Sequence, residues 1–209
     1  MPADRLHLVR HGEVHNPRRV LYGRLPGYRL SDDGRSMAHA AAAHIQHLDR
    51  PVTGLYASPL QRAQESAEPF TELFGLDPVT EDRVIEPTNV FEGQRMTRAL
   101  RNPVNWFHLR DPDLPSWGEP YRAVVARMDA AMRDAWNAAA SGDVVLVSHQ
   151  LPIWITHLAV EGERLRHDPR RRRCALSSVT SFELSGDRWR EVSYVEPAST
   201  AGAVDVGAV

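Results

Sequence analysis

The sequence predicts an α/β protein, a three-layer α/β/α sandwich built on a mostly parallel central sheet. Two observations lead there. Strand-like runs alternate with helix-like segments along most of the 209 residues, the pattern of a parallel sheet covered on both faces. The run Asp143-Val144-Val145-Leu146-Val147-Ser148 is apolar without alternation, as expected of a central strand buried on both sides.

The elements follow in order. Residues 5–10 (RLHLVR) read as a short buried strand that ends on His11-Gly12. A helix is expected over 31–48, with Ser31 as its cap and the run Ala40 to Ala43 favouring it. Residues 53–57 read as a second strand. Ser58-Pro59 then opens a helix to about residue 74, Ser58 as N-cap and Pro59 in the first turn. Residues 78–118 are irregular and Pro-rich, with a short helix near 95–100. A long helix fits 119–140, where Val124, Val125, Met128, Ala131, Met132 and Ala135 share one face. The strand 143–148 follows, and Pro152 suits the first turn of a helix reaching residue 160. Two last strands, near 177–184 and 189–194, are joined by Ser185-Gly186-Asp187, a hairpin signal. No repeat or linker divides the chain. Residues 1–197 are therefore expected to form one catalytic domain, and residues 198–209 a flexible tail.

The composition removes several function classes. Hydrophobic residues make up 42% and charged residues 25%, ordinary for a globular protein. A net charge of -2 provides no field for nucleic acid or an anionic membrane. All 25 basic residues are Arg, a fork that matches phosphate oxygens bidentately where Lys would not. Cys174 is the only cysteine, so no internal disulfide or all-Cys metal site can form. No apolar run reaches the roughly 18 residues of a membrane span, and no secretory leader opens the chain. The expected location is the cytoplasm.

In open α/β sheets ligands bind beyond the carboxyl ends of the strands. Three expected strands end in polar residues: Arg10-His11, Ser58 to Arg62, and His149-Gln150. Displacing a phosphate monoester needs a nucleophile, cations around the equatorial oxygens and an acid for the leaving oxygen. Imidazole attacks only when neutral, and Arg10 and Arg62 beside His11 would disfavour its protonation. A protonated His149 would then donate to the developing oxyanion, a contribution typically worth about a hundred- to thousand-fold in rate.

At this point the sequence resembles the histidine phosphatase superfamily, also called phosphoglycerate mutase-like. The resemblance rests on LVRHGE (8–13), SPLQRAQESA (58–67), Glu86 followed by Phe91-Glu92-Gly93, Trp117-Gly118-Glu119, and Val147-Ser148-His149. These fall in the family's order and cover about 6 to 195. The resemblance implies a phosphoglycerate mutase-like fold and a role for each matching residue. His11 would be the phosphorylated nucleophile. Arg10, Arg62 and His149 would hold the phosphoryl group, and Glu86 would be the proton donor and then the base for water. Asn16 and Gly23 stand where the family contacts phosphate and substrate, and the backbone N–H of Gln150 would add a donor. No metal and no cofactor are implied. The chain departs from the family pattern at Val14, over Arg24 to Arg29 and at Pro120, which reads as a change of specificity at the mouth of the site.

Several residues have plainer readings. Glu81, Asp82 and Glu92 rival Glu86 as the acid. His39, His44 and His47 read as a solvated helix face, with no carboxylate or Cys to complete a metal set. His7, His15, His108, His157 and His167 take the same reading. Arg170 to Arg173 read as a solvated or ion-paired loop. The five Trp read as packing residues, although Trp106 and Trp117 lie where they could roof the site.

The reading that results is a metal-independent phosphatase acting on a small phosphomonoester through a phosphohistidine on His11. A phosphoglycerate mutase-type transfer and a non-catalytic phospholigand-binding protein are the alternatives. The expected partner is a small phosphorylated metabolite, not nucleic acid or membrane, and a homo-oligomer remains open.

Overall fold

The computed structural model describes residues 2–109 and 118–198, together with Ala203 and Asp205. Strand β1 (Arg5–Arg10) is followed by helix α1 (Asp32–Gln46), β2 (Val52–Ala57), α2 (Gln61–Phe74) and the two-residue β3 (Val79–Thr80). A short α3 (Met96–Ala99), α4 (Tyr121–Ala138), β4 (Asp143–Ser148), α5 (Gln150–Val160), β5 (Val179–Ser185) and β6 (Arg188–Val195) complete the chain. The sheet order is β3-β2-β4-β1-β5-β6. The pairs β1–β4, β2–β4 and β2–β3 are parallel, whereas β5 runs antiparallel to β1 and β6. The mostly parallel expectation holds for four of the strands, and the terminal hairpin makes the sheet mixed.

Side-chain alternation along the strands builds the three layers. Leu6 and Leu8 of β1 and Val144 and Leu146 of β4 join one core with Met128 and Met132 of α4 and Leu151 and Ile155 of α5. Val9, Val145 and Val147 belong to a second core with Ala41 and Ile45 of α1 and Ala63, Ala67 and Phe70 of α2. The β4 strand is buried at every position, as its unbroken apolar run foretold.

Two expected helix boundaries moved. Ser58 does not cap α2; the helix starts at Gln61, with Leu60 as N-cap and no side-chain cap bond. The Ser58 hydroxyl is used elsewhere, as described below. Helix α4 starts after Pro120. Ser31 does cap α1, its Oγ accepting the Gly34 N–H at 3.0 Å, with Asp32 and Asp33 in the first turn where the helix dipole favours them.

His7 is not solvated. It is buried in β1, its ring nitrogens 2.8 Å from Ser181 Oγ and 3.2 Å from Asp143 Oδ2. Asp143 is in turn bridged by Arg50 at 2.7 Å. This is a satisfied polar group inside the sheet, the condition for burying one.

The loop after β1 touches α1 backbone to backbone. A Cβ on Gly12 would lie 2.2 Å from the Gly34 carbonyl oxygen, and one on Gly34 would lie 2.0 Å from the Glu13 carbonyl oxygen. Neither position has room for a side chain. Trp117 and residues 199–202, 204 and 206–209 of the 198–209 tail lie outside the described residues. No helix among the described residues is long and apolar enough to cross a membrane.

Candidate active site

Because β1 and β2 flank β4, their carboxyl ends adjoin. The His11 N–H donates to the Ser148 carbonyl at 3.1 Å and the Ser58 N–H to the Val147 carbonyl at 3.0 Å. Arg10, His11, Arg62, Glu86 and His149 come together there, each at most 1% exposed.

The His11 ring is held from both sides. Nδ1 lies 2.7 Å from the Gly12 carbonyl oxygen, and Arg62 Nε–H donates to Nε2 at 3.2 Å. An Arg nitrogen can only donate, so Nε2 carries the lone pair and Nδ1 the hydrogen. Burial, then Arg62 and Arg10, hold His11 well below the usual imidazole range. The ring is neutral at pH 7, and its free pair is on the nitrogen that faces Arg62.

The His149 ring centroid lies 5.2 Å from that of His11. Its Nε2 is 2.7 Å from Ser58 Oγ, and its Nδ1 is 3.9 Å from Glu86 Oε2. His149 Nδ1 and both Glu86 oxygens are buried with no hydrogen-bond partner among the described residues. A buried polar atom is normally bonded, so three orphans aimed at one place mark a site for a polar guest. The sequence-based expectation of a protonated His149 does not hold for these neighbours alone: burial, then Arg62 and His11, hold it well below the usual range.

Burial raises the Glu86 carboxyl above its ordinary value, against the opposing pull of Arg62 and Arg172. The segment is pinned by Ser148 Oγ–H donating to the Val84 carbonyl at 2.7 Å and by Arg24 Nε–H donating to the Glu86 carbonyl at 2.5 Å. The rival acids are occupied or remote. Glu81 pairs with Arg83, Asp82 is exposed, and Glu92 Oε1 accepts the backbone N–H groups of Arg24 and Asn89.

Arg62 also donates to the Gly23 carbonyl at 2.9 Å and lies 4.8 Å from the Tyr22 ring centroid. Gly23 has φ +40, and a Cβ there would lie 2.1 Å from Glu92 Oε1, so Gly23 seats Arg62 by its backbone. Asn16 uses its carboxamide on Val20, giving to the carbonyl at 2.8 Å and accepting the N–H at 3.2 Å. Those bonds close the turn that carries Val20 to Gly23. Gln150 is the first residue of α5, where N–H groups have no intrahelical acceptor.

Arg10 gives Nη1 to the Cys174 carbonyl at 2.6 Å and both Nη atoms to the Asp205 carboxylate, at 2.8 and 2.5 Å. Asp205 therefore presents two anionic oxygens to an arginine of the site. Replacing Asp205 by Ala is expected to lower the inhibition constant of inorganic phosphate about fivefold, since a partly exposed pair is worth roughly 1 kcal/mol. Product-inhibition kinetics read this directly, and an unchanged constant would separate Asp205 from the site.

Sequence reading missed Ser58, Tyr22 and Arg172. Ser58 before Pro59 carries an ordinary cap signature, and no pattern marks Tyr22. Arg172 sits in a run of four arginines, yet it turns inward to His167 Nε2 at 2.9 Å and Gln150 Oε1 at 3.2 Å. Its neighbour Arg173 fits the ion-paired reading, with Glu191 as partner.

A three-layer sheet protein with two buried histidines, two buried arginines and a carboxyl at adjoining strand ends is of the histidine phosphatase class. The chain belongs to the histidine phosphatase superfamily (branch 1), whose family model matches residues 6–197. Uncharacterized protein Rv0525 of Mycobacterium tuberculosis is 49% identical over 203 residues, covering 95% of this chain and 100% of that protein. A 2,3-bisphosphoglycerate-dependent phosphoglycerate mutase of Thermoplasma acidophilum is 28% identical over 152 residues, 70% of each chain. The solved structure of mycobacterial glucosyl-3-phosphoglycerate phosphatase, complexed with VO3, has a TM-score of 0.76 at 24% identity, covering 94% of this chain and 100% of that one.

Proposed function

We propose that the protein is a metal-independent phosphatase that hydrolyses a small phosphomonoester through a phosphohistidine on His11. The observation that carries this reading is a neutral His11, its Nε2 lone pair turned to Arg62, in the same buried cluster as His149 and the Glu86 carboxyl, which lies 3.9 Å from His149 Nδ1 and which burial keeps protonated to higher pH than usual. In the first step Nε2 bonds to phosphorus and the ester P–O bond breaks. The Glu86 proton goes to the leaving alkoxide, and Arg10 and Arg62 bind the equatorial oxygens. The neutral His149 donates from Nδ1, the Ser58 hydroxyl giving its hydrogen to Nε2. A phosphate dianion beside it is the charge that would bring His149 to its cationic form. The N–H of Gln150 adds a donor at a helix start. In the second step the Glu86 carboxylate takes a proton from water, water oxygen bonds to phosphorus, and the P–N bond breaks. The substrate is a small phosphorylated metabolite, neither nucleic acid nor membrane lipid, and the proposed location is the cytoplasm.

Labelled substrate quenched in base tests the intermediate. Base-stable, acid-labile label on His11 is expected; label on another residue, or none during turnover, overturns the reading. The likeness to a mutase favours a second reading, transfer of the phosphoryl group back to a phosphoglycerate. Product analysis with 3-phosphoglycerate separates the two, free phosphate supporting hydrolysis and an isomer supporting transfer. No release from any monoester in a panel would leave a phospholigand-binding protein.

The pH dependence of kcat/KM has a fixed sign. The free enzyme needs His11 neutral and Glu86 protonated. A depressed His11 keeps the imidazole neutral into acid, and a raised Glu86 keeps its proton to higher pH. Activity is therefore greatest on the acid side and falls as pH rises through the Glu86 pKa. Glu86→Gln is expected to lose about a hundredfold in rate and to flatten that alkaline limb; a variant that keeps the limb would show that another group titrates there.

A further inference from the structure

Beyond the wall of the active site lies a second concave surface, a cavity of about 780 Å³ lined by Arg18, Arg95, Arg98 and Arg101, with Gln94 and Asn102 among the remaining residues. That volume suits a small molecule. Among the described residues no carboxylate lines it, and none of the four arginines forms an ion pair there. In a chain of net charge -2 such a cluster is a local feature, not a reflection of overall basicity.

The backbone carries three of these charges on one short segment around α3. The Arg98 N–H donates to the Arg95 carbonyl at 2.9 Å and the Arg101 N–H to the Arg98 carbonyl at 3.2 Å. Arg95 is the N-cap of α3, and Arg98 and Arg101 follow at intervals of three residues, so the three like charges line one pocket and repel at a few tenths of a kcal/mol per neighbouring pair. Arg18 comes from the other segment, which Arg95 Nε joins by donating to the Arg18 carbonyl at 2.8 Å. The same segment borders the phosphate site. Leu21 exchanges backbone bonds with Gly93 and Gln94 at 2.7 and 2.9 Å, and two residues on, the Gly23 carbonyl holds Arg62.

We propose that this pocket binds a small molecule carrying two or more phosphate groups, the anion whose spaced charges answer a set of guanidinium forks. Such a molecule is either the far end of the substrate cleaved at His11 or a separate effector. A concave pocket on a chain of net negative charge does not suit duplex nucleic acid, which needs a broad cationic face. The inference stands independently of the phosphohistidine reading.

Inorganic tripolyphosphate is the probe, titrated calorimetrically at low salt. Orthophosphate is held in excess to fill the phosphate site. The wild type is expected to bind, and Arg98→Ser/Arg101→Ser to bind at least tenfold more weakly. Arg122→Ser/Arg188→Ser, which removes two exposed arginines elsewhere, should bind like the wild type. All are compared by thermal melting, so that an unfolded variant is recognised. The Arg62→Ala protein provides the same comparison with the phosphate site disabled. Absence of binding in the wild type, or equal loss in the two double variants, overturns the proposal. Kinetics then distinguish the sources. A far end of the substrate makes tripolyphosphate a competitive inhibitor of a monoester, and the competition weakens in Arg98→Ser/Arg101→Ser. An effector changes kcat without competition. A protein that forms no phosphohistidine but binds here keeps this inference and loses the other.

Discussion

His11→Ala is expected to lower kcat by on the order of 10⁴-fold or more and to abolish the base-stable label, while the protein melts within a few degrees of the wild type. Removal of a covalent nucleophile costs rates of that order because the remaining groups can only bind and polarise. The fold tolerates the change because the ring's bonds, to the Gly12 carbonyl and from Arg62, serve orientation more than packing. Arg62 still has Gly23 to hold it. Substrate binding should therefore persist, with KM changed far less than kcat. Retained turnover in a correctly folded His11→Ala protein would mean that the chemistry runs through another group.

Arg62→Lys should lose about a hundredfold or more in kcat/KM, nearly as much as Arg62→Ala. The two cations carry the same charge, so a purely electrostatic role would be largely rescued by Lys. The structure asks for more than charge. One planar fork donates from Nε to His11 and from Nη2 to Gly23, and lies against the Tyr22 ring. An ammonium is a compact point donor that cannot reach both acceptors and a phosphate oxygen from one place. Losing the Nε–H also leaves His11 Nε2 without a donor among the described residues, so the ring is held from the Gly12 side alone. Steady-state kinetics with the two variants decide the matter. Full activity in Arg62→Lys would reduce Arg62 to a counter-charge.

The sheet was legible because burial on both faces writes itself into composition: the middle of β4, Val144 to Val147, is wholly apolar. The convergence of His11, Arg62 and His149 was legible for the same reason, since parallel strands place their carboxyl ends on one edge. What stayed hidden depends on directions that no periodicity encodes. Ser58 before Pro59 has the same letters whether its hydroxyl caps a helix or meets His149. Four successive arginines contain no phase to say that Arg172 is the one turned inward. Asn16 offered a carboxamide, and no pattern in the letters shows that it also holds the backbone of Val20. The charge state of His149 was hidden because a sequence does not show the loss of water around a ring, which here acts in the same direction as the arginines beside it.

The close approach of Gly12 to Gly34 leaves the His11 loop no room to move toward α1. Its outer wall is the first turn of α1, and it rests there on bare peptide groups. The same loop is held from the other side, where the Gly12 N–H donates to Ser66 Oγ of α2 at 3.1 Å. The peptide whose carbonyl meets the His11 ring is thus clamped between two helices, and a shift of either is felt at the ring. Amide exchange in the first turn of α1 would report how often one side of that clamp opens.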